Sequence, residues 1–489
     1  MKTSMRINSL CALLTIIISC VSVAWGTGAR ETETISKTAI PIAPEFRNTR
    51  VIRVVDLRAN VVQEDIGIRA KNIDTTPKSE YIFTVPRQTE EHVASITAFL
   101  RQEPKTALTI EQAGFDSEKE VQLYKITFDD PVKPDAEVRF GVKIAYSHAL
   151  TPLPAKIPQV ARQFVVYKDN IYLYSPYFSD EIKTTLQLPT QVVQSYTGGD
   201  HVQHNGNKIV YGPFHSVMPE TYDRLRVHYE YTKPLLTVTE LVRDLQVSHW
   251  GGNLAVEENY KLHHSGAELD AQFSRATYQL TRMVHGQTNV LKDLTFRLPA
   301  QARDVYYRDD IGNVSTSHFR NEIESSVLQI TPRYPLFGGW NYTWFHGYNV
   351  DLANFDRYSQ EKDEYILNVN FVDNVYDMSI DKAVVRIVLP EGATNVQVHT
   401  PFNVDSIEHK TYYTNFDSTG RYLVILEKHN VVREHEQPIQ ITYQYSTVRL
   451  FQKPLVATAA VFVLFLTSMI FSKMSFTIGP KSDASKKLE

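Results

Sequence analysis

The stretch RLRVHYEY, Arg224 to Tyr231, decides the fold. Apolar Leu225, Val227, Tyr229 and Tyr231 alternate with Arg224, Arg226, His228 and Glu230. A period of two puts one set on each face of an extended chain, so the segment is a half-buried β-strand. The alternation returns in VRFGVKIAY (Val138 to Tyr146), DEYILNVNF (Asp363 to Phe371) and PIQITYQYS (Pro438 to Ser446). Strands with one wet face belong in antiparallel sheets, and the chain is expected to be mainly β. Helical patterning is sparse, with TEEHVASITAFLR (Thr89 to Arg101) and DSEKEVQLYK (Asp116 to Lys125) as its best candidates.

A weak internal similarity links SDEIKTTLQLPTQVVQSYTG (Ser179 to Gly198) to SIDKAVVRIVLPEGATNVQVHTP (Ser379 to Pro401). It predicts two related antiparallel β-sandwich-like domains, residues 27–235 and 236–450, joined near Thr232 to Asp244. Cys11 and Cys20 are the only cysteines and both fall in the N-terminal apolar run, so disulfides cannot hold the mature domains. A formal net charge of −4, with no basic cluster, argues against nucleic acid.

The ends of the chain speak to its address. Met1 to Arg6 leads into an apolar stretch, Ile7 to Val23, followed by Ala24 and Gly26, the layout of a cleavable signal over residues 1–26. Leu455 to Phe471 is a second apolar run without charge, read as a transmembrane helix over 455–472. At about 1.5 Å per residue its roughly 17 residues span about 26 Å, which suits a thin bilayer. A single-pass type I protein with a lumenal bulk follows, with residues 473–489 as a cytosolic tail. Lys486 and Lys487 stand in the dilysine pattern that resembles an endoplasmic reticulum retrieval address.

The stretch SHWGGNLAVEENYKLHHSG, Ser248 to Gly266, looks at first like a site, with three histidines and adjacent carboxylates. A zinc-binding helix needs histidines at i and i+4, and a strand would point the adjacent His263 and His264 to opposite faces. On a strand from Leu254 to Leu262 the apolar face is Leu254, Val256, Tyr260 and Leu262. Glu258 interrupts it, which predicts a bulge or strand end there, with the histidines solvated in turns. No Gly-x-Ser-x-Gly elbow, phosphate loop or Gly-x-Gly-x-x-Gly stands anywhere in the chain. No catalytic residue, cofactor or metal ligand is singled out.

Three long motifs resemble the ribophorin I family: VSHWGGNLAVEENYKLHHSGAELDAQFSR (Val247 to Arg275), YYRDDIGNVSTSHF (Tyr306 to Phe319) and PRYPLFGGWNYTWFHGYNVDL (Pro332 to Leu352). The resemblance implies a non-catalytic subunit of oligosaccharyltransferase. That complex moves a preassembled oligosaccharide from dolichyl diphosphate to the asparagine of Asn-x-Ser/Thr in nascent chains. It also implies partners among the other subunits, including a multi-span catalytic one, and a scaffold or acceptor-presenting role. The short tail resembles the fungal form and argues against ribosome contact.

Two sequons, at Asn313 and Asn341, are candidate N-glycosylation sites. Phe337, Trp340, Trp344 and Phe345 are either a partner surface or a loop folded over its own core. The rival readings are a cycling cargo receptor using the dilysine tail and a lumenal hydrolase.

Overall fold

The protein is described from a computed structural model, which covers residues 42–474 except 102–105, 285–288, 415, 416 and 418. The signal segment, most of the tail, and Lys486 and Lys487 lie outside the described residues.

The chain is mostly strand, and its apolar side chains gather into two large cores. One runs from Phe46 to Leu235 and the other from Leu236 to Tyr443. In the first domain Phe46–Asp56 pairs antiparallel with Val62–Asn72, which pairs with Glu137–Tyr146. On its other side it pairs parallel with Ser179–Gln187, and Lys208–Val217 follows. A smaller sheet, in the order Val193–Tyr196, Arg224–Glu230, Phe164–Asn170, Leu150–Pro152, closes the sandwich. In it Leu225, Val227 and Tyr229 face the core while Arg224 and Arg226 face solvent.

The second domain repeats this order strand for strand. Leu236–Ser248 takes the place of Phe46–Asp56, antiparallel to Asn253–His264, which pairs with Asn341–Asp351. Met378–Glu391 lies parallel on its other side, and Arg421–Val431 follows. The smaller sheet runs Thr394–His399, Pro438–Gln444, Glu364–Asn370, Asp356–Ser359. The large sheet of each domain, expected to be antiparallel, thus carries one parallel seam. Its second strand returns after a crossover long enough to hold most of the domain, as parallel pairing requires. The similar segments beginning at Ser179 and Ser379 are these returning strands.

Both helical expectations fail. Thr89 and Glu90 end a single helical turn, Arg87–Glu90, and the rest becomes the strand Val93–Leu100 paired with Glu137–Tyr146. Asp116 to Lys125 divides between the strands Ala107–Asp116 and Val121–Val132 and the turn joining them. The β-branched Val93, Ile96 and Thr97 suit a pleated surface, and pairing with an inner strand outweighs weak helical propensity.

Asn253–His264 is likewise unbroken at Glu258, which pairs in register with Arg243 and His346. Leu254, Val256, Glu258, Tyr260, Leu262 and His264 all face inward and are buried. Glu258 stays in the core because Arg243 meets it there. Arg243 Nη1 lies 2.9 Å from Glu258 Oε1, and Nη2 donates to Asp373 Oδ2 at 2.5 Å. Tyr260 Oη donates to Glu258 Oε2 at 2.9 Å. The first domain has the same device: Arg53 is ion-paired with Glu64 and Asp169, and Tyr146 Oη donates to Glu64 at 2.7 Å. Each arginine sits five residues past the point where its strand slips register, at Asn48 and Val238. Each aspartate opens the same tetrad, Asp169-Asn170-Ile171-Tyr172 and Asp373-Asn374-Val375-Tyr376.

Burial alone would raise the Glu258 pKa. The Arg243 charge, with His346 and Tyr260 beside it, overcomes that and holds the carboxyl at about 2, below its ordinary 4.5. A folded-state pKa below the unfolded one gives stability that is present above pH 4.5 and lost as pH falls toward 2. Its size is about 3 kcal/mol. Removing one partner of a buried pair costs about 3–5 kcal/mol, so Glu258→Gln should lower stability at neutral pH by that order. The variant should also lose stability less steeply than the parent below pH 4.5. Thermal unfolding of the full chain across pH checks both, and an unchanged acid slope would contradict the assignment.

Candidate functional site

The sequence drew attention to Ser248 to Gly266, and the structure gives each of its groups a place. The Ser248 to Gly252 turn closes the hairpin, with Gly252 at φ +58°, a left-handed conformation that suits glycine. Trp250 at its tip is 68 % exposed. His263 continues the outer face and its Nδ1 lies 2.6 Å from Asn341 Oδ1. His264 is not solvated as expected: it is fully buried, its Nε2 is 2.9 Å from the Asn289 carbonyl, and its Nδ1 accepts from the Gly266 amide. Burial lowers its pKa to about 4. Two-residue periodicity carries it inward with Leu262.

His249 departs furthest from the sequence reading. It is half-buried, stacked on Tyr445 with centroids 4.8 Å apart, and its Nε2 lies 2.9 Å from Tyr443 Oη. Tyr443 Oη donates to Asp356 Oδ2 at 2.8 Å. Burial lowers the His249 pKa to about 4 and raises that of Asp356 to about 6. This is a short chain of polar groups with a neutral imidazole at one end and a carboxylate poorly stabilised by its surroundings at the other. Among the described residues no group of three His, Cys, Asp or Glu is placed to hold a metal ion.

His249 and Trp250 form one wall of a groove of about 470 Å³. Pro390, Tyr445, Arg449 and the helix residues Lys453, Pro454, Val456 and Ala457 are also among its lining. That helix, Gln452–Lys473, has 22 residues and spans about 33 Å at 1.5 Å per residue. Every residue from Leu455 to Met474 is exposed, and by length and composition the helix could cross a membrane.

The aromatic run divides by face. Trp344 is buried and stacks on Tyr260 at 4.8 Å, because it shares the inward face with Tyr342, His346 and Tyr348. Phe337 is buried against Phe273 and Trp340. A Cβ on Gly338 would come 2.0 Å from the Ala267 carbonyl oxygen, so only glycine lets the run approach the neighbouring strand. Phe337 and Trp344 therefore offer no surface to a partner, which corrects that expectation for these two. Trp340 and Phe345 remain partly exposed.

Asn313 and Asn341 are both exposed. Asn313 Oδ1 accepts from Arg308 Nε at 2.8 Å. Sequence reading missed the ion clusters, the His249 to Asp356 chain and the groove. The Asp-Asn-Ile/Val-Tyr repeat was the available signal for the first; the others join segments remote along the chain.

Among the described residues the fold is a pair of β-sandwiches with the same strand order, followed by one helix long and apolar enough to cross a membrane. The chain belongs to the Ribophorin I family, whose profile matches residues 46–472. It is 36% identical over 433 residues to dolichyl-diphosphooligosaccharide–protein glycosyltransferase subunit 1B of Oryza sativa subsp. japonica, covering 87% of this chain and 90% of that one. Subunit 1B of Arabidopsis thaliana is 32% identical over 450 residues, 91% of this chain and 96% of that one. Subunit 1 of Caenorhabditis elegans is 34% identical over 447 residues, 90% of this chain and 75% of that one.

The Asp356 pKa in the folded state lies above its ordinary 3.8, so folding penalises the ionised form. That cost is absent below pH 3.8 and complete above pH 6. Asp356→Asn should therefore raise stability at pH 7 by up to about 3 kcal/mol and change it little at pH 4. Equal effects at the two pH values in thermal unfolding would contradict the environment described.

Proposed function

We propose that the chain is an accessory, non-catalytic subunit of oligosaccharyltransferase, acting in transfer of oligosaccharide to asparagine in nascent chains. The observation that carries this reading is the extent of the family likeness, which runs through both β domains and into the terminal helix. A non-catalytic role is supported by how the inward-facing ionisable groups are used. Glu258, Asp373, Glu64 and Asp169 are spent on Arg243 and Arg53, and Asp356 on Tyr443. The role is then that of a scaffold for the multi-span catalytic subunit or a surface that presents acceptor chains, with Trp340 and Phe345 as candidate contacts.

The same reading divides the lumenal part at residues 235 and 236 and puts the domains on the lumenal side of the endoplasmic reticulum. The chain crosses once, type I, with Lys486 and Lys487 as a cytosolic retrieval signal. Exposure of Asn313 and Asn341 leaves both sequons open to a glycan.

Mild-detergent purification through a tag placed upstream of Lys486 should bring down a multi-span transferase that glycosylates an Asn-x-Thr peptide. An isolated, inactive protein would overturn the reading and favour a cycling cargo receptor. Asn313→Gln and Asn341→Gln should each remove one endoglycosidase-sensitive step in gel mobility. An unshifted variant would show its site unoccupied.

A further inference from the structure

We propose that the groove between the Ser248 to Gly252 turn and the start of the terminal helix holds the phosphate head group of a membrane phospholipid. In this arrangement Arg449 faces the phosphate, and Trp250, Val456 and Ala457 lie along the first carbons of an acyl chain. The proposal rests on the reading of Gln452–Lys473 as a membrane span.

Position argues first. Lys453, Pro454, Val456 and Ala457 belong to the opening turns of that helix and also line the groove. Where the helix enters a bilayer, the groove lies at head-group depth, and lipid is the molecule already present there. Trp250, 68 % exposed at the tip of its hairpin, suits the interfacial belt where such rings collect. Val456, 52 % exposed, supplies apolar wall.

Charge argues second. The groove is lined by three cations, Arg421, Arg449 and Lys453, and one carboxylate, Glu391. Asp417, outside the lining, pairs with Lys453 and lies 3.2 Å from Arg421 Nε. Glu391 accepts from the Thr419 amide at 2.7 Å and sits 4.0 Å from Lys453 Nζ. Arg449 donates instead to the neutral side-chain oxygen of Gln452, at 3.3 Å, so its charge is left for an anion. His249 forms a neutral, stacked floor and adds no competing charge.

Size agrees. About 470 Å³ falls in the range of small-ligand sites and takes a phosphate-bearing head group with the first carbons below it. A second transmembrane helix would need a continuous apolar face, and Arg449 and Lys453 interrupt this one.

The test uses the full chain, purified with the proteins that accompany it and returned to phosphatidylcholine vesicles. These carry a trace of either phosphatidylinositol or phosphatidylcholine, with a photoreactive group near the head. The phosphatidylinositol probe should mark the peptides that hold Trp250 and residues 450–457. Arg449→Gln should cut that labelling about fivefold, the effect of roughly one interfacial cation, and Arg449→Lys should restore most of it. Labelling of residues 458–471 should stay the same throughout. Groove labelling that ignores Arg449→Gln, or a groove left unlabelled while residues 458–471 are labelled, would overturn the proposal while leaving the span intact. Absence of lipid label along 458–471 would overturn the spanning reading, and the proposal with it.

Discussion

A guanidinium buried between two carboxylates, once in each domain, is the constraint on which the rest of the structure depends. Arg53 and Arg243 are each 3 % exposed, at the centre of the largest sheet of their domain. An arginine there is tolerable only if the second strand brings a glutamate to it and the smaller sheet, through a strand at Asp169 or the segment just past a strand at Asp373, brings an aspartate. A one-residue slip would turn the glutamate to the solvent face and strand the charge. The cluster therefore ties the register of the first two strands to the position of the second sheet. In a chain whose only cysteines are Cys11 and Cys20, this and apolar packing take the place of disulfides.

Both halves carry the device, and they differ above it. In the first domain the strand Lys78–Pro86 lies over the arginine and leaves a cavity of about 30 Å³. In the second the corresponding cavity is about 290 Å³, walled by Leu298, Pro299 and Phe355. The second domain also carries the Ser248 to Gly252 turn beside the terminal helix, so its contact with that helix is built on the strand that holds Arg243. The domains meet through polar contacts: Asn60 Nδ2 donates to the Leu236 carbonyl at 2.6 Å, and His148 lies 2.7 Å from Asp381. A small apolar cluster of Val61, Ala145 and Val432 joins them.

The strands were legible because one wet face imposes alternation, as at Leu225, Val227 and Tyr229. The same rule, followed strictly, would have placed Glu258, His264 and Trp344 inward. It was abandoned at Glu258 because a lone carboxylate on an apolar face looks like a break. Its partners Arg243 and His346 lie on the two neighbouring strands, and a single sequence does not pair them. Val93–Leu100 is illegible for a related reason: its own residues do not name a partner, and pairing with Glu137–Tyr146 makes it a strand. The family likeness pointed to the kind of protein, but the groove and the His249 to Asp356 chain are products of packing between distant segments.

Arg243 fixes the second domain's register independently of the first. Hydrogen exchange of the intact chain carrying Arg243→Ala tests it most directly. The account predicts lost protection along Leu236–Ser248, Asn253–His264 and Met378–Glu391, with Phe46–Asp56 and Val62–Asn72 protected as before. Unchanged protection in the second domain, or equal loss in both, would contradict it.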